Sequence, residues 1–491
     1  MNLAHALERT ADETPGAVAV VFEGESTTYA AVRHQAVRAA VSLADLGVEP
    51  GDRVAIWMPN HPSFISALYG IWRAGAVAVP VHSGLTQPEA AHIFEDAGCS
   101  VVFIGHDQLD DAAPWLEDLG MNVLLTRRDA PKSAPPPDQN YPAPPIVEVD
   151  DDDLALIQYT AGTSGVPKGA MLTHANLRAN LDQMRDIPIT VRRNDVALCV
   201  LPLFHIYGLN VVLNLGISVG AKLILFERFD AVGAVAAIRD QKVTVVAAAP
   251  PAYVLWLGLE TATKSDFQSL RAAVSGAAPL PKEILSSFRE RFGIDIWEGY
   301  GLTETSPALT TTAIGGVPKP GCVGRPLPGV EIRLIDEEGE DVDEGDPGEI
   351  IVRGPNVFRG YWNRPDETKA AFLDGWFRTG DVGVFDDDGD LFIVDRRRDM
   401  VIVSGFNVYP REVEDVIRKH PLVVDVAVVG ERDEATGERV RAFVVGDVAG
   451  DDLLDFARKS LAPYKMPREI ELVSVIPRNA AGKVLRRELR T

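Results

Sequence analysis

Cysteine is scarce in this sequence of 491 residues: Cys99, Cys199 and Cys322 are three in number and far apart. Such a set builds no disulfide framework and shows no metal-ligand spacing, and it fits a reducing cytosol. Long apolar runs are missing as well. The most apolar stretch, about residues 196–226, is broken by Pro202, His205 and Lys222, so no membrane-spanning helix is expected. The N-terminus, MNLAHALERTADETPG, has neither the basic start nor the apolar run of a secretory leader. A cytoplasmic location is therefore expected. Positive charge is in deficit: 48 Lys and Arg face 71 Asp and Glu, a formal net of −23. That balance argues against nucleic acid or an anionic membrane as a partner. No zinc, haem or flavin pattern and no serine-hydrolase elbow occurs.

What is present is enough for several cores. A chain of this length that is 46% hydrophobic exceeds one ordinary domain. Charge is unevenly spread. From Arg396 onward 18 basic residues meet 16 acidic ones, a net of +2, which leaves −25 on the rest. Between about residues 28 and 125 a helical pattern, TYAAVRHQAVRAAVSLADLG, precedes the strand-like runs RVAIWM, AVAVPV and SVVFIG. A proline-rich connection, PKSAPPPDQNYPAPPIVEV, follows. A second alternating block runs from about 154 to 295, with ALIQYT, LILF, VTVVAAA and AAVSGA as strands. Such alternation predicts α/β architecture with largely parallel sheets. From about 321 to 392, VEIRLID, GEIIVRG and DLFIVD predict a small antiparallel barrel. The last hundred residues read as an α+β unit, with PREVEDVIRKH and LLDFARKSL helical and VVDVAVVGE and RVRAFVVG extended. The expected division is a large domain over 1–395, with subdomains of about 1–150, 151–320 and 321–395, and a small mobile domain over 396–491.

The motif richest in chemistry is YTAGTSGVPKGAMLTHANL, Tyr159 to Leu177. A strand ends at Thr160, and Gly162, Thr163, Ser164 and Gly165 follow, then Lys168. Glycines let backbone amides approach phosphate oxygens, hydroxyls add donors and lysine adds charge. Lys168 is followed by Gly169 rather than Ser or Thr, so this is not the P-loop of nucleotide hydrolases. Read alone, the stretch is equally an ordinary connection.

The whole string resembles the phosphate loop of the adenylate-forming superfamily, which includes acyl-CoA synthetases, nonribosomal adenylation domains and luciferases. The likeness extends along the chain in the family's order, and VSGFNVYP is closest to bacterial fatty acyl-CoA ligases. It implies ATP, Mg²⁺ and coenzyme A as ligands. The segment Glu298, Gly299, Tyr300, Gly301, Leu302, Thr303, Glu304 resembles the adenine and magnesium segment. There Tyr300 stacks on the base, Thr303 donates to a phosphate, and Glu304 is the hard carboxylate suited to the metal. Ser275, Gly276, Ala277 and Ala278 resemble the loop beside adenine and acyl chain. By the same resemblance Asp381 holds the ribose hydroxyls and Arg396 contacts the nucleotide. Arg398 is the hinge, and Ser404 and Gly405 line the pantetheine path. Lys483 steadies the carboxylate and α-phosphate, and the small domain turns about Arg398 between two half-reactions. Ala161, where many relatives carry a hydroxyl or glycine, removes one phosphate donor.

The acid is read from LPLFHIYGLN, Leu201 to Asn210. Adenylation domains place an aspartate here to pair with an amino acid's ammonium. This chain has His205 among apolar neighbours, so an amine-free acid is expected. His205 is either part of the acid site or an ordinary core histidine. Tyr207, Gly208 and the small Ser275–Ala278 stretch suggest an unobstructed apolar pocket for a medium- or long-chain fatty acid. Aryl or arylpropenoic acids come second, and a fatty acyl-AMP ligase that loads a carrier protein is the other alternative. The chain is expected to be a monomer or homodimer.

Overall fold

The structure, a computed structural model, describes residues 1–105, 112, 114–126, 144–160, 167–316, 318–396, 399–403, 406–433, 437–461, 463–479 and 482–490. The chain divides into two compact units. One comprises Met1–Pro320, Pro326–Glu331 and Arg353–Gly375. The other comprises Gly321–Arg325, Ile332–Val352 and Trp376–Thr491.

The first unit holds two sheets, each built from the short β-branched runs of the sequence. In one, Ile296–Gly301, Ala272–Ser275, Val245–Ala248, Val196–Cys199, Lys222–Leu225 and Val18–Phe22 lie side by side in that order, all parallel. Antiparallel strands Ala308–Thr311 and Glu25–Thr28 flank them. Helices pack on this sheet through large rings: Tyr253, Trp256, Phe267, Phe288 and Phe292 are fully buried with Leu198, Val246 and Ala273. Continuous apolar strands covered by helices are what a parallel sheet requires.

The other sheet orders Gly360–Tyr361, Lys168–Thr173, Leu154–Thr160, Val77–Val81, Arg53–Trp57, Val101–Gly105 and Asn122–Thr126. Strands from Leu154–Thr160 to Asn122–Thr126 are parallel. Lys168–Thr173 turns back antiparallel on Leu154–Thr160, so Thr160 and Lys168 are cross-strand partners. The helix His174–Arg185 starts where Thr173 and Asn176 cap each other: the Asn176 N–H donates to Thr173 Oγ1 at 3.1 Å, and the Thr173 N–H donates to Asn176 Oδ1 at 3.0 Å.

The second unit begins with an antiparallel sheet in the order Glu331–Ile335, Gly348–Arg353, Trp376–Phe385, Leu391–Arg396 and Cys322–Pro326. Its C-terminal part is a sheet of Phe406–Val408, Val401–Val403, Gly437–Gly446 and Val423–Asp433, with Glu469–Leu472 added parallel to Gly437–Gly446. The helix Pro410–Arg418 buries Val413, Val416 and Ile417 against Val426, Val428 and Val440 of that sheet. Among the described residues no helix is long and apolar enough to cross a membrane.

Candidate active site

In an open α/β sheet, ligands gather where parallel strands end at their carboxyl side. Three sequence-singled segments leave the first unit's larger sheet there. Ser275 ends one strand, Glu298 to Gly301 end its neighbour, and Leu201 to His205 follow Cys199. The second sheet fastens the last of these. Asn60 donates from Nδ2 to the Leu201 carbonyl at 2.9 Å and accepts the Leu203 N–H at 2.7 Å. Gln158 donates from Nε2 to the Phe204 carbonyl at 2.9 Å.

His205 is half-buried, between the buried Leu203 and Ile206. Its Nδ1 accepts the Tyr207 N–H at 3.2 Å. Burial pushes its imidazole down to about 4, so it is neutral at physiological pH. From Tyr207 to Asn214 the chain winds as a π-helix, an uncommon geometry enriched at functional sites. Gly208 is required there, because a side-chain carbon would strike the Pro202 carbonyl. The Tyr207 ring lies where a side chain on Gly276 would begin, 3.2 Å from that point. The Tyr207 ring thus borders Gly276. Ser275 is buried and its Oγ has no partner among the described residues, while Ala277 adopts a left-handed φ of 68°. Unsatisfied polar atoms and backbone strain of this sort concentrate at binding sites.

Glu304 sits in a short 3₁₀ turn, Thr303–Thr305, after the Ile296–Gly301 strand. Buried amide side chains secure the loop that follows: Asn210 donates to the Ser306 carbonyl at 2.7 Å and Asn356 to that of Thr305 at 2.8 Å. Glu304 is 9% exposed and, among the described residues, its carboxylate has no ion-pair partner. Tyr361 donates its hydroxyl to Glu304 Oε1 at 2.8 Å. The Lys168 ammonium lies 5.3 Å from the centre of the Tyr361 ring and is paired with Glu367. A buried carboxylate without a compensating cation suits a hard divalent metal ion. Tyr300 and Thr303 are half-buried beside it in sequence, and Glu298 accepts the Leu280 N–H at 3.4 Å.

In the second unit Asp381 is 2% exposed within the strand Trp376–Phe385, opposite Arg396 in register. Thr379 accepts the Asp381 N–H at 3.1 Å and donates to the Ile350 carbonyl at 2.8 Å. Lys483 sits in a tight turn: its N–H donates to Asn479 Oδ1 at 2.8 Å, and its carbonyl accepts the Asn479 N–H at 2.9 Å. Gly482 makes the turn possible with a φ of 79°. Gly162, Thr163, Ser164, Gly165, Arg398, Ser404, Gly405 and the Arg396 side chain lie outside the described residues.

Sequence reasoning missed Asn210, Asn356 and Tyr361. An asparagine in the apolar run Leu209–Leu213 is the one available signal, since a buried amide must find partners. Tyr361 carries no such signal, because its partners are distant in the chain.

Residues 7–362 match the model of the AMP-binding enzyme family, and residues 412–483 match the AMP-binding enzyme C-terminal domain. The chain is 36% identical to a long-chain-fatty-acid–CoA ligase of Bacillus subtilis (strain 168), over 98% of this chain and 93% of that protein. It is equally 36% identical to a feruloyl-CoA synthase of an Amycolatopsis species, over 98% and 97%. ATP-bound MatB from Rhodopseudomonas palustris superposes with a TM-score of 0.91 at 33% identity, over 100% of this chain and 98% of that one.

Proposed function

Because the chain belongs to the AMP-binding enzyme family and is an AMP-forming acyl-CoA ligase, we propose that its acid is amine-free and apolar, foremost a medium- or long-chain fatty acid. The observation that carries this reading is the neutral, half-buried His205 in a segment, Leu201 to Asn210, without any acidic residue. An amino acid's ammonium left unpaired in such surroundings costs several kcal/mol, about 2–7 for a polar group alone and more for a charge. Arylpropenoic acids form the second reading. It is favoured by the Tyr207 ring beside Gly276, an aromatic group against which an arene packs well.

The chemistry is a coupling. A carboxylate is a poor electrophile, so one of its oxygens attacks the α-phosphorus of ATP and pyrophosphate departs. The thiol of coenzyme A then attacks the acyl carbon of the mixed anhydride, and AMP departs with the electrons of the broken bond. The first step asks the protein for positioning and charge rather than covalent help. Lys168 and the glycine- and hydroxyl-rich loop before it take up charge on the leaving pyrophosphate. Tyr300 covers the adenine, Asp381 accepts from the ribose hydroxyls, and Lys483 bridges the carboxylate and α-phosphate. Glu304 would hold Mg²⁺, which supplies Lewis-acid stabilisation of phosphate charge. Ser404 and Gly405 would admit the pantetheine arm.

A panel of acids, assayed for AMP and pyrophosphate with and without coenzyme A, tests the reading. Fatty acids are expected to give the highest kcat/KM, with turnover dependent on coenzyme A. Highest kcat/KM with arylpropenoic acids would select the second reading. Turnover with amino acids would overturn both, and adenylate accumulating without any effect of coenzyme A would point to carrier loading.

A further inference from the structure

The short strand Gly360–Tyr361 pairs antiparallel with Lys168–Thr173, Gly360 facing Met171 and Tyr361 facing Ala170. The same segment is tied to Glu304: the Phe358 N–H donates to the Glu304 carbonyl at 2.8 Å. Its shape is stiff. Thr368 Oγ1 accepts the Tyr361 N–H at 2.9 Å, the Trp362 N–H donates to the Gly169 carbonyl at 2.8 Å, and the Phe358 ring meets Tyr361 edge-on at 4.9 Å. One side chain on this segment faces two groups to which the proposed function gives charge-handling roles. Tyr361 puts its hydroxyl on the Glu304 carboxylate at 2.8 Å and its ring 5.3 Å from the Lys168 ammonium.

We infer that Tyr361 is a positioning residue for nucleotide binding, holding Glu304 and Lys168 in register with one another. A carboxylate oxygen fixed by a hydroxyl donor leaves the other oxygen aimed in one direction, which is what a metal ion that demands regular geometry needs. Lysine on a four-carbon stem is loosely specified unless something confines it; here the Glu367 carboxylate pairs with the Lys168 ammonium and the Tyr361 ring, beside it, adds a contact that does not neutralise its charge. The hydroxyl therefore acts on metal-dependent affinity and the ring on phosphate affinity. The inference rests on the reading of Glu304 as the magnesium carboxylate.

The two arms separate in a titration of the full chain with α,β-methylene ATP, followed by calorimetry across a range of Mg²⁺ concentrations and again in EDTA. Tyr361→Phe keeps the ring and its packing. It is expected to raise the Mg²⁺ concentration for half-maximal binding about tenfold, the loss of one hydrogen bond to a charged group, and to leave affinity in EDTA unchanged. Tyr361→Leu is expected to weaken binding in EDTA as well, by roughly threefold, the scale of an exposed cation–π contact. Glu304→Gln serves as the reference and should shift the Mg²⁺ dependence at least as far. If Glu304→Gln shifts it and Tyr361→Phe leaves the wild-type curve intact, the inference about Tyr361 is overturned while the site reading stands. If Glu304→Gln itself changes nothing, the reading of the site fails.

Discussion

His174 opens the helix that follows the strand Lys168–Thr173, and its Nδ1 accepts the Leu3 N–H at 3.2 Å. It is fully buried, and burial is the main reason its pKa falls from 6.5 to about 4. Between those two values the unfolded chain takes up a proton that the folded chain refuses. Stability from this group is thus complete above about pH 6.5 and declines as the pH falls toward 4, by about 2 kcal/mol at about pH 5. His174→Gln, which still offers the Leu3 N–H an acceptor, should lose less stability than wild type between about pH 7 and pH 5. Urea unfolding midpoints at both values measure this, and an equal loss in the two proteins would speak against it. His174 stands inside the motif that the sequence analysis singled out for phosphate binding, but nothing local distinguishes a buried histidine from an exposed one. Asp381 and Glu304 could be singled out in the sequence for the opposite reason. RTGD and GYGLTET stand out by the company of other nucleotide-binding strings, whereas Tyr361 meets partners that only folding brings near.

Among the elements, the turn-forming end of Ile296–Gly301 bears the tightest geometry. A side-chain carbon on Gly301 would collide with the Pro307 backbone carbonyl, and backbone on both sides leaves no rotamer to yield. Gly301→Ala is expected to force Ala308–Thr311 away from its partner strand and to cost about 3 kcal/mol, at the upper end of overpacking. Because Thr303 and Glu304 follow directly, the variant should also bind ATP more weakly than its loss of stability explains. Thermal unfolding with and without ATP analogue checks both effects, and a wild-type response to the analogue would contradict the second. Several strand and helix identities were legible, since AVAVPV, VTVVAAA and PREVEDVIRKH form Val77–Val81, Val245–Ala248 and Pro410–Arg418, whereas the π-helix Tyr207–Asn214 was not. Strand partnership was not. Val18–Phe22 lies beside Lys222–Leu225, and Leu154–Thr160 beside Val77–Val81. Apolar periodicity records burial, not which strand supplies the neighbouring hydrogen bonds.

At the scale of the whole molecule, an AMP-forming acyl-CoA ligase runs two half-reactions on one chain: adenylation of an acid, then thioester formation with coenzyme A. Lys483 is assigned to the first alone. Lys483 is held in its turn by Asn479 and Gly482; in the proposed role its compact charge would steady the carboxylate and α-phosphate as negative charge builds between them. The most direct measurement follows the half-reactions separately in wild type and Lys483→Ala, as acid-dependent exchange of pyrophosphate into ATP and as thioester formation from supplied acyl-adenylate. Wild type should perform both, and the variant should lose exchange by roughly 10²–10³-fold, the worth of one preorganised charge, while retaining thioester formation. Absence of acid-dependent exchange in wild type, or equal loss of both half-reactions in the variant, would contradict the account.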